Sequence, residues 1–457
     1  MITHTVIFAY EEDSRGRGVP GGSRGSSPLL NLTRYRQVLS DRRAVAFSLA
    51  GFVARLPLSM TGIGIVLLVS LTTGSFGLAG LLTAAGTITG AVVAPLWGRA
   101  TDRVGQARVL LLAVSINFLS VALLVTAIEM AWPLAVSLAA AIGVGIGFSL
   151  AGSAVRARWT LRLGGSPLLN TAFALEAMLD EVVFIIGPVL VTFLATAFHP
   201  ALGVSVSAVI GLIGAVALAA QHRSQPPIRP TPRGHVRSRL PWRVLVPVAI
   251  ACAALGMVFG GMEVNVVAFA KEAGVLDYAG VILMAWAFGS LVAGAASGAI
   301  SWHASPAKRF RVGASLLALS LLPLPFIGNP VILALLLIVS GMAIAPTLIA
   351  SVAVTQSSVD QTRLTEALAW TSTGMAAGVA VGAAAVGHVI DRFGAEAGFV
   401  TVVVSGLLLS LSVLFVRGQT SSTESDSQLG LAEQLTPEPT DTPAAESLHR
   451  SAGNPSR

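Results

Sequence analysis

Three acidic residues, Glu176, Asp180 and Glu181, interrupt an otherwise apolar stretch that ends at Gly187-Pro188. An ionised acid at the centre of a helix in lipid costs ~2.5–3.5 kcal/mol, so such groups persist where they face a polar cavity or a partner. On a helix Glu176 and Asp180 share a face, whereas Glu181 is turned by about 100° from Asp180. Arg55, set in another apolar stretch, is the natural counter-ion. Two readings fit this group. In one, Arg55 and the acids form a protonatable centre whose contacts weaken when a proton or cationic substrate binds. In the other, a permanent ion pair fixes helix packing. The first predicts Asp180 as the proton site and Glu176 as the next candidate, with Glu181 as the partner of Arg55.

Other candidate residues are sparser. Glu263 and Asn265, in Gly260-Gly261-Met262-Glu263-Val264-Asn265, are expected at a substrate cavity, where adjacent glycines would let the helix unwind. Gly187-Pro188 frees a backbone carbonyl and predicts a bend or a close helix contact. Arg156, Arg158 and Arg162 read as anchors at an anionic membrane surface, one of them available to Asp102. Cys252 is the only cysteine, and the seven histidines lack ligand spacing, so no disulfide, metal site or cofactor is expected. Nor does any pairing of nucleophile and base suggest an enzyme.

The elements that must carry these residues follow from composition. The chain has 457 residues, 54% hydrophobic and only 11% charged, against about 25% charged in soluble domains. Its charges collect in short blocks between apolar runs of about twenty residues, the length that spans a bilayer. The class is an all-α polytopic membrane protein. Runs at about 44–71, 77–97, 108–128, 132–153, 168–197 and 201–220 make six spans, and about 244–270, 278–300, 310–327, 329–353, 363–388 and 396–416 make six more. Residues 221–243, rich in proline and arginine, read as a solvated linker between a 44–220 bundle and a 244–416 bundle. Residues 1–43 and 417–457 read as disordered tails, the first of them basic. With both termini cytoplasmic, all lysines and arginines of the loops fall inside except Lys271 and Arg392, as the positive-inside rule requires. The net charge of +7 is thereby assigned to membrane topology and not to nucleic acid.

Between the second and third runs stands Gly98-Arg99-Ala100-Thr101-Asp102-Arg103-Val104-Gly105-Gln106-Ala107-Arg108, read as a tight charged connector. The pattern Gly-x-x-x-Asp-Arg-x-Gly-x-x-Arg resembles the loop after the second helix in the major facilitator superfamily of secondary transporters. That resemblance implies a fold of two six-helix bundles related by a pseudo-twofold axis, and a chain that works as a monomer. It implies a conformational latch too, in which Asp102 meets the amino end of the eleventh helix around Arg363 to Glu366. Gly98 and Gly105 would allow close packing there, with Arg103 and Arg108 in cytoplasmic contacts. A degenerate echo of the loop, Gly298 to Arg311, follows the eighth span, with Trp302 where Asp102 would sit. Gly187-Pro188 is similar to the core of the antiporter motif of drug-efflux members, although Val183, Val191 and Thr192 replace its further glycines.

No ATP-binding loop occurs, so transport is expected to be secondary. One proton entering down ~100 mV releases ~2.3 kcal/mol, enough for roughly a fifty-fold uphill gradient. The expected function is proton-coupled efflux of small, moderately apolar molecules across the plasma (inner) membrane, with lipid, substrate and protons as the partners. Import of a nutrient by symport or uniport, and a transporter-like sensor without turnover, are the alternatives.

Overall fold

The computed structural model describes residues 32–148, 150–228, 240–299, 304–359 and 363–416. Residues 1–31 of the first expected tail, the whole of the expected tail 417–457, the middle of the linker and Trp302 lie outside these residues. The helices are α1 (Leu32–Leu39), α2 (Arg42–Arg55), α3 (Pro57–Thr73), α4 (Phe76–Val104), α5 (Gln106–Glu129), α6 (Leu134–Ile146), α7 (Ala151–Leu163) and α8 (Leu168–Ala197). They continue with α9 (Pro200–Ala219), α10 (Trp242–Glu272), α11 (Ala279–Ala299), α12 (Pro306–Leu321), α13 (Pro330–Gly341), α14 (Ile344–Ser358) and α15 (Leu364–Ser412).

Among the described residues, 11 stretches are long and apolar enough to cross a membrane, and the last, Glu366–Phe415, contains two crossings. As one rod its 50 residues would extend about 75 Å, more than twice the hydrocarbon thickness. Gly394 breaks it with φ +83°. A Cβ on Gly261 would lie 2.8 Å from Val386 and 3.2 Å from Val402, which are equally far from Gly394 along the chain, so the two arms run back beside each other. Glu272 secures the reversal by accepting the Ala395 amide at 2.9 Å. Twelve crossings result, as the apolar runs predict.

Three crossings are broken within the membrane. Pro57 opens α3 directly after α2, where its missing N–H is no loss, and it leaves Arg55 at the end of α2. The fourth crossing is α6 followed by α7, with the break after Gly147, where a Cβ would overlap the Asn117 amide nitrogen. The tenth crossing, α13 followed by α14, is divided in the same way after Gly341.

Several expectations are corrected here. The expected end of the fourth span near residue 153 is too early, because α7 continues it to Leu163 and carries Arg156 and Arg158 inward. Residues 32–39, assigned to the tail, form α1, whose Val38 packs in a cluster with Phe47 and Trp159. The Gly98–Arg108 segment is not a loop: α4 runs through Val104, and the connector is Gly105 alone, at φ +91°. The start of the linker is docked, with Gln225 Oε1 accepting the Ala107 amide at 3.3 Å at the head of α5. Finally, α10 does not unwind at Gly260-Gly261.

Those α10 glycines serve close packing. Gly256 and Gly260 on α10, and Gly374, Gly378 and Gly382 on α15, recur every fourth residue and so lie on facing stripes. A Cβ on Gly378 would overlap the Ala253 carbonyl oxygen, and one on Gly260 the Val379 carbonyl oxygen. Backbone contact of this kind is what small residues provide between membrane helices. Gly378→Val is expected to lower stability by about 1–3 kcal/mol through overpacking. Gly98→Ala, with no atom within 4 Å of the added carbon, should be neutral or stabilise by up to about 1 kcal/mol, as alanine does in a helix. Thermal unfolding of the detergent-solubilised variants measures both, and equal melting points would contradict the packing argument.

Candidate functional site in the membrane interior

The break after Arg55, the inward run of α7 and the acidic face of α8 converge on one buried charge cluster. Arg55 donates from Nη2 to Glu176 Oε2 at 2.5 Å and from Nη1 to Asp180 Oδ1 at 2.7 Å, while its Nε donates to the Gly51 carbonyl at 3.1 Å. Arg156 completes the group, its Nη2 lying 2.6 Å from Asp180 Oδ2. Glu176 Oε1 also accepts from Ser48 Oγ at 2.6 Å and from Trp159 Nε1 at 2.8 Å. Close approach of α2 and α7 depends on glycine, since a Cβ on Gly51 would overlap the Val155 side chain. Two guanidinium groups face two carboxylates, so the cluster is balanced in charge.

The sequence expectation is inverted in one respect. Glu181 does not pair with Arg55: the turn of about 100° from Asp180 carries it to another face. There Glu181 Oε2 is buried with no hydrogen-bond partner among the described residues. Arg156, read as a surface anchor, is the second partner of Asp180. Arg158 also goes inward, bonding Gln106 Oε1 at 3.1 Å and Ser224 Oγ at 2.8 Å. Arg162 reaches Asp41 at the start of α2. None of them pairs with Asp102.

Glu181 opens onto a cavity between the first six and the last six crossings. Ser59, Phe184 and Pro188 line it from one side, and Phe259, Glu263, Trp286 and Ser290 from the other. Glu263 is thus at a cavity, as expected, on an uninterrupted helix. Asn265 is not: it is fully buried against α15, where a Cβ on Gly398 would overlap its Oδ1. Gly187-Pro188 acts by close contact within a continuous α8. A Cβ on Gly187 would overlap Ser59 Oγ, and the Pro188 carbonyl oxygen occupies the space that a Cβ on Gly280 of α11 would need. Trp286, Ser290, Phe184 and Phe259 escape a reading of the sequence because each is an ordinary residue of an apolar run.

The bundles touch at the loop end that carries Ser75, Gly280 and Gly394. Asp391 accepts from Phe76 N at 2.7 Å, Gly77 N at 2.9 Å and Ser75 Oγ at 2.7 Å, so a carboxylate of α15 caps the amino end of α4 across the interface. Lys271 adds a bond to the Ser70 carbonyl at 3.0 Å and lies 5.4 Å from the centre of the Phe76 ring. A Cβ on Gly80 would overlap the Ala383 carbonyl oxygen. Toward the opposite end no residue of α4 beyond Gly86 is buried. There Asp102, Arg103 and Arg108 are exposed, and Asp102 enters no ion pair among the described residues. Glu366, its expected neighbour at the start of α15, bonds Arg363 Nη2 at 2.6 Å. Gly105 packs on Gln225, whose Nε2 lies 2.6 Å from where a Cβ would be.

Arg55→Ala leaves Glu176 without a charged partner and Asp180 with one, and should destabilise the protein by about 3–5 kcal/mol, seen as loss of the folded fraction in detergent. Asp391→Asn removes the charge from the amino end of α4, an interaction worth about 0.3–2 kcal/mol. Spin labels on Met130→Cys and Phe326→Cys, both exposed on that loop end in opposite bundles, should then report a larger population of long distances than in the parent protein.

Comparison with known proteins agrees with this geometry. The sequence profile of the Major Facilitator Superfamily matches residues 47–362. No curated protein sequence matches the chain. Among solved structures, a point mutant of the nucleoside transporter NupG superposes with a TM-score of 0.65 at 13% identity, covering 82% of this chain and 99% of that one. A bacterial homologue of the iron transporter ferroportin in an inward-facing state gives 0.63 at 13% identity, covering 81% and 98%. A bacterial homologue of the human lysosomal transporter Spinster, inward-facing and occupied, gives 0.59 at 14% identity, covering 86% and 97%. Identities this low speak to the fold alone, but the profile covers more than half of the chain and the twelve crossings agree with it: the protein belongs to the Major Facilitator Superfamily.

Proposed function

We propose that this carrier couples inward proton movement to the export of small, moderately apolar molecules by alternating access, and that Glu181 is the group that takes the proton. The observation that carries this reading is the unpartnered Glu181 Oε2 at the cavity. Asp180 and Glu176 are poorer proton carriers, because protonating either leaves an arginine of the balanced cluster uncompensated in a medium of low dielectric constant. In this proposal the cluster serves as a rigid mount one residue away from Glu181. Protonation of Glu181 removes the unbalanced charge from the interface and lets the bundles rock about the cavity.

The remaining elements fit a cycle. Positive loops at the end carrying Gly105 and the linker argue that this end is cytoplasmic, which makes the described state open to the cytoplasm and closed outside by Asp391. The exposed Asp102 is then a latch at rest, engaging the amino end of α15 when the inner side closes. An apolar and aromatic cavity suits efflux of drug-like molecules or metabolites better than uptake of a sugar. The protein acts as a monomer in the plasma membrane in this reading.

In inside-out vesicles energised with protons, ethidium and chloramphenicol are suitable cationic and neutral probes. Whichever of them dissipates the proton gradient through the parent protein should fail to do so through Glu181→Gln. Retained proton movement in that variant, with loss in Asp180→Asn, would return the coupling role to Asp180. Orientation has its own check: a membrane-impermeant maleimide added to intact cells should label Phe326→Cys and spare His222→Cys.

A further inference from the structure

Four arginines at the start of the first crossing have no acid to answer them. Asp41, which stands between the two pairs in sequence, is already engaged: it caps α2 by accepting the Arg43 amide at 3.0 Å and pairs with Arg162 at the end of α7. Arg34 and Arg36 on α1 and Arg42 and Arg43 on α2 are exposed, and none of them enters an ion pair among the described residues. Their helix is anchored, since Val38 of α1 is buried in a cluster with Phe47 and Trp159, and Tyr35, three residues earlier, is half-buried. A second observation points to what meets these charges. Arg42, Ala46 and Leu49 are exposed at helical spacing and share one face of α2, with Arg42 about 10 Å from Leu49 along the axis. Leu49 is 55% exposed, and Leu39, between the two arginine pairs, is 45% exposed. The 32 residues of the first crossing, Arg42–Thr73, would extend about 48 Å, against about 30 Å of hydrocarbon. That excess sets Arg42 and Arg43 at headgroup level while Leu49 lies against acyl chains.

We infer that α1 and the first turn of α2 form a binding surface for anionic phospholipid. The headgroups meet Arg34, Arg36, Arg42 and Arg43, and the acyl chains lie along the face of α2 that carries Leu49. A soluble polyanion would match the arginines and leave Leu39 and Leu49 in water, whereas a phospholipid matches both. Guanidinium groups bind phosphate oxygens through paired N–H···O bonds, and each arginine near an anionic membrane surface contributes about 1 kcal/mol. A zwitterionic lipid offers the same phosphate with its own ammonium beside it, so the surface selects lipids of net negative charge. The anchoring role that the sequence suggests for Arg156, Arg158 and Arg162 thereby passes to α1 and α2, because Arg156 and Arg158 turn inward and Arg162 is held by Asp41. The inference needs only that the first crossing spans a bilayer, and it is independent of the direction and coupling of transport.

The test reads lipid composition at the surface itself. A fluorophore on Gln37→Cys, an exposed position of α1, is placed in the full-length protein reconstituted into phosphatidylcholine bilayers at low ionic strength. A small fraction of the lipid, either phosphatidylglycerol or phosphatidylcholine, carries a nitroxide quencher high on one acyl chain. Labelled phosphatidylglycerol should quench at least about fivefold more effectively than labelled phosphatidylcholine, the ratio that corresponds to about 1 kcal/mol. Arg34→Gln with Arg36→Gln, and Arg42→Gln with Arg43→Gln, should each lower that ratio by about twofold or more, and the four together should bring it close to one. The pair Arg103→Gln with Arg108→Gln, exposed at the same end of the bundle, should leave most of it. Equal quenching by the two lipids in the parent protein, or quenching by neither, overturns the inference without any variant having to fold. Loss of the excess on adding inorganic polyphosphate, at a phosphate concentration equal to that of the labelled lipid, would assign the surface to a soluble polyanion instead. An equal fall in the Arg103 and Arg108 pair would show a field of the whole end and no surface on α1 and α2.

Discussion

The protein is organised around a charge balance inside the membrane. Arg55, Arg156, Glu176 and Asp180 are buried together, and each is tolerable there only because the others are present. Removing ions from water costs several kcal/mol per group, and the attraction offsets this only when the geometry is good and the remaining lone pairs are satisfied. Those conditions dictate local structure. They require α2 to end at Arg55, α7 to carry its arginine inward, and Gly51 to leave room for the approach. Ser48 and Trp159 then satisfy what the arginines leave of Glu176.

A balanced cluster leaves its neighbour conspicuous. Glu181 follows Asp180 directly but points to the interface between bundles, where its charge has no answer among the described residues. The same interface is held by backbone contacts at glycine and by the Asp391 cap on α4. Within the second bundle, by contrast, α10 and α15 are joined by facing glycine stripes with carbonyl oxygens where side chains would stand.

Much of the architecture was legible because lipid imposes simple rules. Every backbone group must be satisfied within its own helix, so apolar runs translate directly into crossings. That Arg55 belongs with the acids of α8 was legible for the same reason, since isolated charges in apolar runs need one another, but the spacing pointed to Glu181 as its partner where the structure has Glu176 and Asp180. Arg156 was misread because it sits near the end of a hydrophobic run, where an arginine anchoring at the surface and one turned inward have the same local sequence. The Gly98–Arg108 motif was legible as a marker and misleading as a shape, since α4 continues through it into water, where no membrane limits its length.

By itself, the sequence determined the number of crossings and the family, both properties of single segments and their immediate neighbours. Only the tertiary structure decided which carboxylates are neutralised, that Glu181 and Glu263 are left lining the cavity, and that Asp391 caps α4 across the interface. Those outcomes depend on the rotation and depth of helices relative to others far away in the chain. A turn of about 100° separates Asp180, held by two arginines, from Glu181, which pairs with neither. No spacing within α8 reveals what stands opposite either residue.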